Sequence, residues 1–134
     1  ESTEVPDEVL ERIREVCLAL PETREEQAWV GVRWRIRTHT FAHVLTIDKG
    51  WPPAYAAAAG TQGPACVVTL RPAPEELDAL THAGPPFFRP RWGRDMIGVF
   101  LDADTDWPQL AELLTESYCQ LAPQKLAAQI HPRS

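Results

Sequence analysis

The stretch Trp92–Leu126, WGRDMIGVFLDADTDWPQLAELLTESYCQLAPQKL, decides the fold, because a strand, a capped helix and a second short helix follow one another in it. In DMIGVFLD, Ile97, Val99 and Leu101 alternate onto one face and Met96 and Phe100 onto the other, with Gly98 marking a bulge or a close approach. Asp106 is placed as an N-cap, with Gln109 three residues on as its capping-box partner. Trp107, Leu110, Leu113, Leu114, Ser117, Tyr118 and Leu121 then line one side of a helix, the strongest periodic signal in the chain. Pro123 breaks that helix and opens another, PQKLAAQI, from its first turn.

Working back from this stretch, Pro85, Pro86 and Pro90 keep the approach through Phe87 and Phe88 extended and irregular, and PEELDALTHA reads as a short helix opened by Pro74 and closed by Gly84. ACVVTLR is a strand ended by Pro72. Residues 48–65 read as a flexible Pro/Gly/Ala loop in which YAAAA makes a turn of helix. TFAHVLTI and AWVGVRWRIRT form a hairpin about Thr38 and His39, without the Gly or Asn that such turns favour. In the second of these strands Val30, Val32, Trp34 and Ile36 share one face, and Gly31, Arg33, Arg35 and Arg37 the other. PETREEQ reads as a charged turn, and Asp7 to Leu20 as an amphipathic helix stopped by Pro21. The expected fold is α+β: one domain over residues 1–134, an antiparallel sheet of about four to five strands with N- and C-terminal helices packed on one face.

Charge is unevenly placed. Residues 1–26 carry nine acids and three Arg, equal to the whole net charge of −6, whereas Gln27 to Ile47 holds no acid and three Arg. Arg outnumbers Lys by 11 to 2, a bias expected of a GC-rich bacterial genome. No apolar run approaches the roughly 20 residues that cross a bilayer, and the acidic start is unlike a signal segment. A cytoplasmic protein with no membrane partner is expected. Cys17, Cys66 and Cys119 are odd in number and about 50 residues apart, which suits small buried apolar groups rather than disulfides or a zinc site.

Few residues form a chemical constellation. His39 and His43, four apart in a strand, would share a face, but two ligands do not make a metal site. His82 and His131 are expected in solvent. Asp102, Asp104 and Asp106 lack the Gly and distant Glu of a calcium loop, and Ser117 lies mid-helix with no His at a readable spacing. Neither a metal nor a cofactor is expected. The two features left are the Arg strand face, whose guanidinium forks suit phosphate or else pair with the acids of the first helix or of PETREE, and five Trp in a small domain. Trp34 and Trp107 read as core, whereas Trp51 and Trp92 stand in Pro-rich surroundings.

Taken together, CLALPETREEQAW, WRIRTHTFA, FLD, DWPQLAELLTESY and QKL make the chain resemble the MmcQ/YjbR-like family of small bacterial proteins commonly labelled DNA-binding. Trp34, Arg35, Ile36, Phe41 and Ala42 match the aromatic-Arg-aliphatic strand and the Phe-Ala that follows it, and the matches run from about Val9 to Leu126. The chain departs from the pattern at Arg37, Thr38 and His39, where glycines and Lys are usual, and at Met96, where an aromatic is usual. A neutral imidazole at His39 adds no fixed charge, which leaves Arg37 as the substitute cation. The resemblance implies a CyaY/frataxin-like helix-flanked antiparallel sheet with no established reaction or cofactor.

The leading expectation is therefore a non-enzymatic domain binding duplex DNA through Arg33, Arg35, Arg37, His39, Arg91 and Arg94. At a net charge of −6, such affinity must come from a local patch. The alternative is a protein that sequesters a planar small molecule, such as an antibiotic in self-resistance, in a groove of Trp51, Phe87, Phe88 and Trp92. A homodimer or protein-interaction module is a third expectation. An enzyme is not expected, since no nucleophile system or acid/base pair can be assembled.

Overall fold

The computed structural model describes residues 5–130, so the expectation for His131 lies outside the described residues. Helix α1 (Asp7–Cys17) leads into β1 (Thr23–Gln27), β2 (Val32–Ile36) and β3 (His39–Ile47). A short helix, α2 (Pro53–Ala59), precedes β4 (Ala65–Leu70) and α3 (Pro74–Ala83). Then come β5 (Phe87–Phe88), β6 (Ile97–Leu101), α4 (Trp107–Leu121) and α5 (Gln124–Ile130). The strands form one six-stranded antiparallel sheet in the order β1-β2-β3-β4-β6-β5.

The α+β expectation holds, with six strands against the four to five expected, the additional ones being the edge strands β1 and β5. PETREEQ is not only a turn: Thr23–Gln27 is an edge strand. Its inward residues are polar because they serve the ends of other elements. The Thr23 hydroxyl donates to the Cys17 and Leu20 carbonyls at 2.7 and 3.1 Å. Glu25 accepts from Arg14 of α1 at 2.8–3.1 Å and from the indole of Trp34 at 3.0 Å. The Arg14 guanidinium, more than any other group, holds the Glu25 carboxyl below its ordinary pKa. Helix α1 ends at Cys17, a turn earlier than Pro21 requires.

Helices α1, α3, α4 and α5 cover one face. Trp34, Ile36, Val44, Val68, Leu70 and Ile97 of the sheet pack there against Ile13, Leu110, Leu114 and Tyr118. Each fully buried aliphatic on the α4 face contributes roughly 1.5–3 kcal/mol of transfer free energy. The expected cap is in place: Asp106 Oδ1 accepts from the Gln109 amide at 3.0 Å. Trp107 is half-buried rather than core, with the Arg12 guanidinium 5.1 Å from its ring centre. Cys17 is buried and Cys66 and Cys119 are half-buried, all three unpaired as disulfides.

Among the described helices, α2 alone covers the opposite face. Leu45, Ile47 and Val67 pack there with Ala56, Tyr55, Phe88 and Phe100. Val30 joins this second cluster instead of the face of Val32, Trp34 and Ile36. It lies before β2 begins, and Gly31, at φ 77°, reverses the chain between them.

One irregularity sets which side chains reach the open face. In the β2–β3 ladder Trp34 pairs with Ala42 but Arg35 with Thr40, so Phe41 is an extra residue in β3. Phe41 and Ala42 are consequently both buried against the helices. This corrects the reading of His39 and His43 as neighbours on one face. His39, opposite the inward-facing Ile36, and His43, opposite Arg33, fall on opposite faces. The hairpin turn is Arg37–Thr38, and Arg37 takes the left-handed φ of 56° that a Gly or Asn would adopt more easily.

Candidate nucleic-acid interface

A single register row crosses all six strands on the α2 side of the sheet: Glu26, Arg33, His43, Thr69, Gly98 and Phe88. At the usual strand spacing it runs about 24 Å. Charge gathers at the β1 end of the row and aromatic groups gather over its middle and far end.

At the β1 end, Glu26 is shared. Arg24 Nε donates to Glu26 Oε2 at 2.9 Å, and Arg33 Nε and Nη2 donate to Oε1 at 3.0 and 2.9 Å. Arg35 Nη1 stands 3.6 Å from the same oxygen. Three guanidiniums against one carboxylate leave a local excess of two positive charges. Arg24 first, and then Arg33, hold the Glu26 carboxyl below its ordinary pKa, so it is ionised near neutrality. Arg35 Nη2 donates to the Thr38 carbonyl at 2.5 Å, while its Nε is buried without a hydrogen-bond partner. Arg37 stands apart in the hairpin turn, paired with Glu22 at 3.1 Å.

In the middle of the row, His43 Nε2 donates to the Val30 carbonyl at 2.6 Å, which leaves Nδ1 to accept from the Tyr55 hydroxyl at 3.2 Å. Burial holds the His43 imidazole below its ordinary pKa, opposed by the Val30 bond and assisted by the charge of Arg33. Trp92 lies edge-on to Tyr55, ring centres 4.6 Å apart, which brings the loop bearing the exposed Arg91 and Arg94 beside α2. At the hairpin loop joining β1 to β2, Trp29 is 80% exposed and tilts against the 40% exposed Trp51 at 5.3 Å. Trp92 is 45% exposed.

The residues expected to form one aromatic groove are dispersed. Phe87 and Phe88 are consecutive in a strand and point to opposite faces, the first into the helix-side core and the second onto Gly98 and Phe100. Phe87 instead lines a cavity of about 430 Å³ with Pro86, Leu110 and Leu113, rimmed by Asp102, Asp104 and Asp106. Trp51 pairs with Trp29, and Trp92 with Tyr55.

Arg33, Arg35 and Arg37 do pair with acids of PETREE, Glu26 and Glu22, whereas Arg24, Trp29 and Tyr55 were not anticipated at the site. The alternation of TREEQ carries a signal for Arg24, but charge on both faces of an edge strand hides its period. The exposed acids lie mostly on the other side: Glu8, Glu11 and Glu15 on α1, Glu75 and Glu76 on α3, and Glu112 on α4. The net acidity is thus largely that of the helical layer.

Among the described residues no three His, Cys, Asp or Glu side chains form a group able to hold a metal ion, and no helix is long and apolar enough to cross a membrane. A model of the YjbR family matches residues 18–120. A crystal structure of a protein from Pseudomonas syringae, a structural-genomics target, is similar with a TM-score of 0.63 at 17% identity, covering 84% of this chain and 97% of that one. At that identity the likeness concerns the fold alone. No curated protein matches the chain.

Proposed function

The chain belongs to the YjbR family, and on that footing we propose that it is a non-enzymatic, cytoplasmic DNA-binding domain that receives backbone phosphate on Arg24, Arg33 and Arg35. The observation that carries this reading is the sharing of Glu26 by three guanidiniums. Guanidinium N–H groups in excess over their carboxylate are suited to phosphate oxygens. The unpartnered Arg35 Nε supports the same reading, since a buried donor without an acceptor is costly unless a ligand completes it. Segregation of the acids onto the helical layer removes the objection that a chain of net charge −6 must repel DNA.

Arg91 and Arg94 extend the cationic surface past Trp92, whereas Arg37 and His39, at the hairpin tip, are its periphery. Fluorescence anisotropy of labelled duplex DNA at low and physiological salt tests the proposal. Binding should weaken with salt, and the Arg24→Ala/Arg33→Ala/Arg35→Ala variant should lose most of it. Salt-independent binding, or full binding by that variant, would refute it.

A second reading, a planar small-molecule binder, is favoured by one observation, the exposed Trp29–Trp51 pair. It requires quenching of tryptophan fluorescence by uncharged planar compounds, undiminished by the triple Arg substitution.

A further inference from the structure

Two features lie one rung apart on the β1–β2 hairpin. The rung Glu26–Arg33 belongs to the Arg cluster, and the next, Gln27–Val32, opens into the loop that carries Trp29. Beside that loop is a cavity of about 420 Å³, lined among others by Trp29, Trp51, Val30, Leu10, Gln27 and Asp7. Its size falls within the roughly 300–1,000 Å³ of small-ligand sites. The lining residues are of the kinds that receive a nucleobase: two Trp, whose exposed rings offer stacking, with Gln27 and Asp7 beside them for a polar edge.

A Trp that is 80% exposed buries little in this fold, so packing does not account for it. Duplex DNA offers it a base face only at the cost of unstacking, because paired bases keep their faces stacked. An unpaired strand can place phosphate on the guanidiniums and turn a base onto the indoles. We propose that the preferred ligand is single-stranded nucleic acid, with phosphate held by Arg24, Arg33 and Arg35 and an adjacent base stacked at Trp29 and Trp51. This rests on the phosphate-binding reading above and narrows it to unpaired strands.

The test compares a fluorescein-labelled 12-nucleotide mixed-sequence single strand with its duplex, in binding to the wild-type chain, Trp29→Ala, Trp29→Phe and the triple Arg variant. Circular dichroism of each variant controls for folding. The single strand should bind more tightly than the duplex. Trp29→Ala should weaken it by about tenfold or more, Trp29→Phe by less, and duplex binding should not change. Tryptophan fluorescence should be quenched as the single strand binds. Duplex binding as tight as single-strand binding, dependent on the Arg cluster but indifferent to Trp29→Ala, would overturn the stacking inference and leave the phosphate reading standing. Binding of neither form would overturn both. Quenching by a free uncharged nucleoside, equal in the triple Arg variant, would overturn the joint site in favour of a small-molecule pocket.

Discussion

The Ser117 hydroxyl donates to the Phe41 carbonyl at 2.6 Å, and Phe41 is the extra residue of the β3 bulge. The bulge takes this residue out of the regular ladder, and a helix on the adjacent layer completes its carbonyl. Ser117 Oγ also accepts from the Arg71 amide at 2.9 Å, just after β4 ends, so one hydroxyl joins α4 to two strands. The neighbouring Tyr118 hydroxyl donates to the Pro21 carbonyl at 2.7 Å, and its ring meets Phe41 edge-on. The Phe-Ala and Ser-Tyr pairs of the sequence are thus two halves of one packing device, and the device decides that Arg33 and His43 face away from the helices.

Ser117→Ala should therefore destabilise the fold out of proportion to the single atom removed. It leaves the buried Phe41 carbonyl without this partner, at about 1–3 kcal/mol, and the part-buried Arg71 amide without its own at a smaller cost. Urea denaturation should show a lower midpoint at an unchanged slope. A change under about 0.5 kcal/mol, the ordinary range for an inert surface site, would show that the hydroxyl is dispensable.

Gly98 makes room for Phe88. A Cβ at Gly98 would stand 2.2 Å from the Phe88 ring, where the two residues pair across β6 and β5. Gly98→Ala should displace that ring and cost about 1–3 kcal/mol, as overpacking does. Combined with Phe88→Leu it should cost less than the sum of the single changes. Strict additivity in that double-mutant cycle would mean that the contact is not what constrains Gly98.

How far the sequence disclosed this architecture depended on whether a residue's role was periodic or relational. Leu110, Leu114 and Tyr118 were legible because one helix face must be apolar to bury, and Asp106 because a cap has a fixed offset. Gly98 was legible as a close approach, though not what approaches. The bulge at Phe41 was not, since nothing in HTFAH distinguishes an extra residue from a regular one, and the faces of His39 and His43 were misjudged for that reason. The edge strand β1 was hidden because its inward positions, Thr23 and Glu25, are polar groups satisfied by other elements. Of the candidate site, Arg33 and Arg35 were legible by alternation. Arg24, Trp29 and Tyr55 join them only through pairings between segments distant in the chain or across a loop.

His43 should make stability depend on pH in the range where histidines titrate. Its pKa is depressed in the folded state, chiefly by burial, so the unfolded chain binds the proton more readily. Stability is then fully present above the ordinary value of about 6.5 and declines as pH falls through it. Denaturation midpoints measured from pH 7.5 to 5.5 should fall for the wild-type chain, and the fall should be smaller in His43→Gln. An identical decline in that variant would mean that His43 is not its source.

Glu26→Gln separates charge balance from architecture at the Arg cluster. If Glu26 serves as the resident counterion of Arg24, Arg33 and Arg35, its neutralisation raises the local excess from two positive charges to three and frees guanidinium N–H groups for phosphate. Nucleic-acid affinity should then increase, and the dependence of log K on log salt should steepen by about 1. Folding should be little affected, because the pairs at this sheet edge are solvated and such pairs contribute little to stability. The opposite result, weaker binding by Glu26→Gln with the fold intact, would mean that the carboxylate orients the guanidiniums for the ligand instead of competing with it. In that case Glu26→Ala and Glu26→Asp should differ, since only the shorter carboxylate retains the charge while losing the shared geometry.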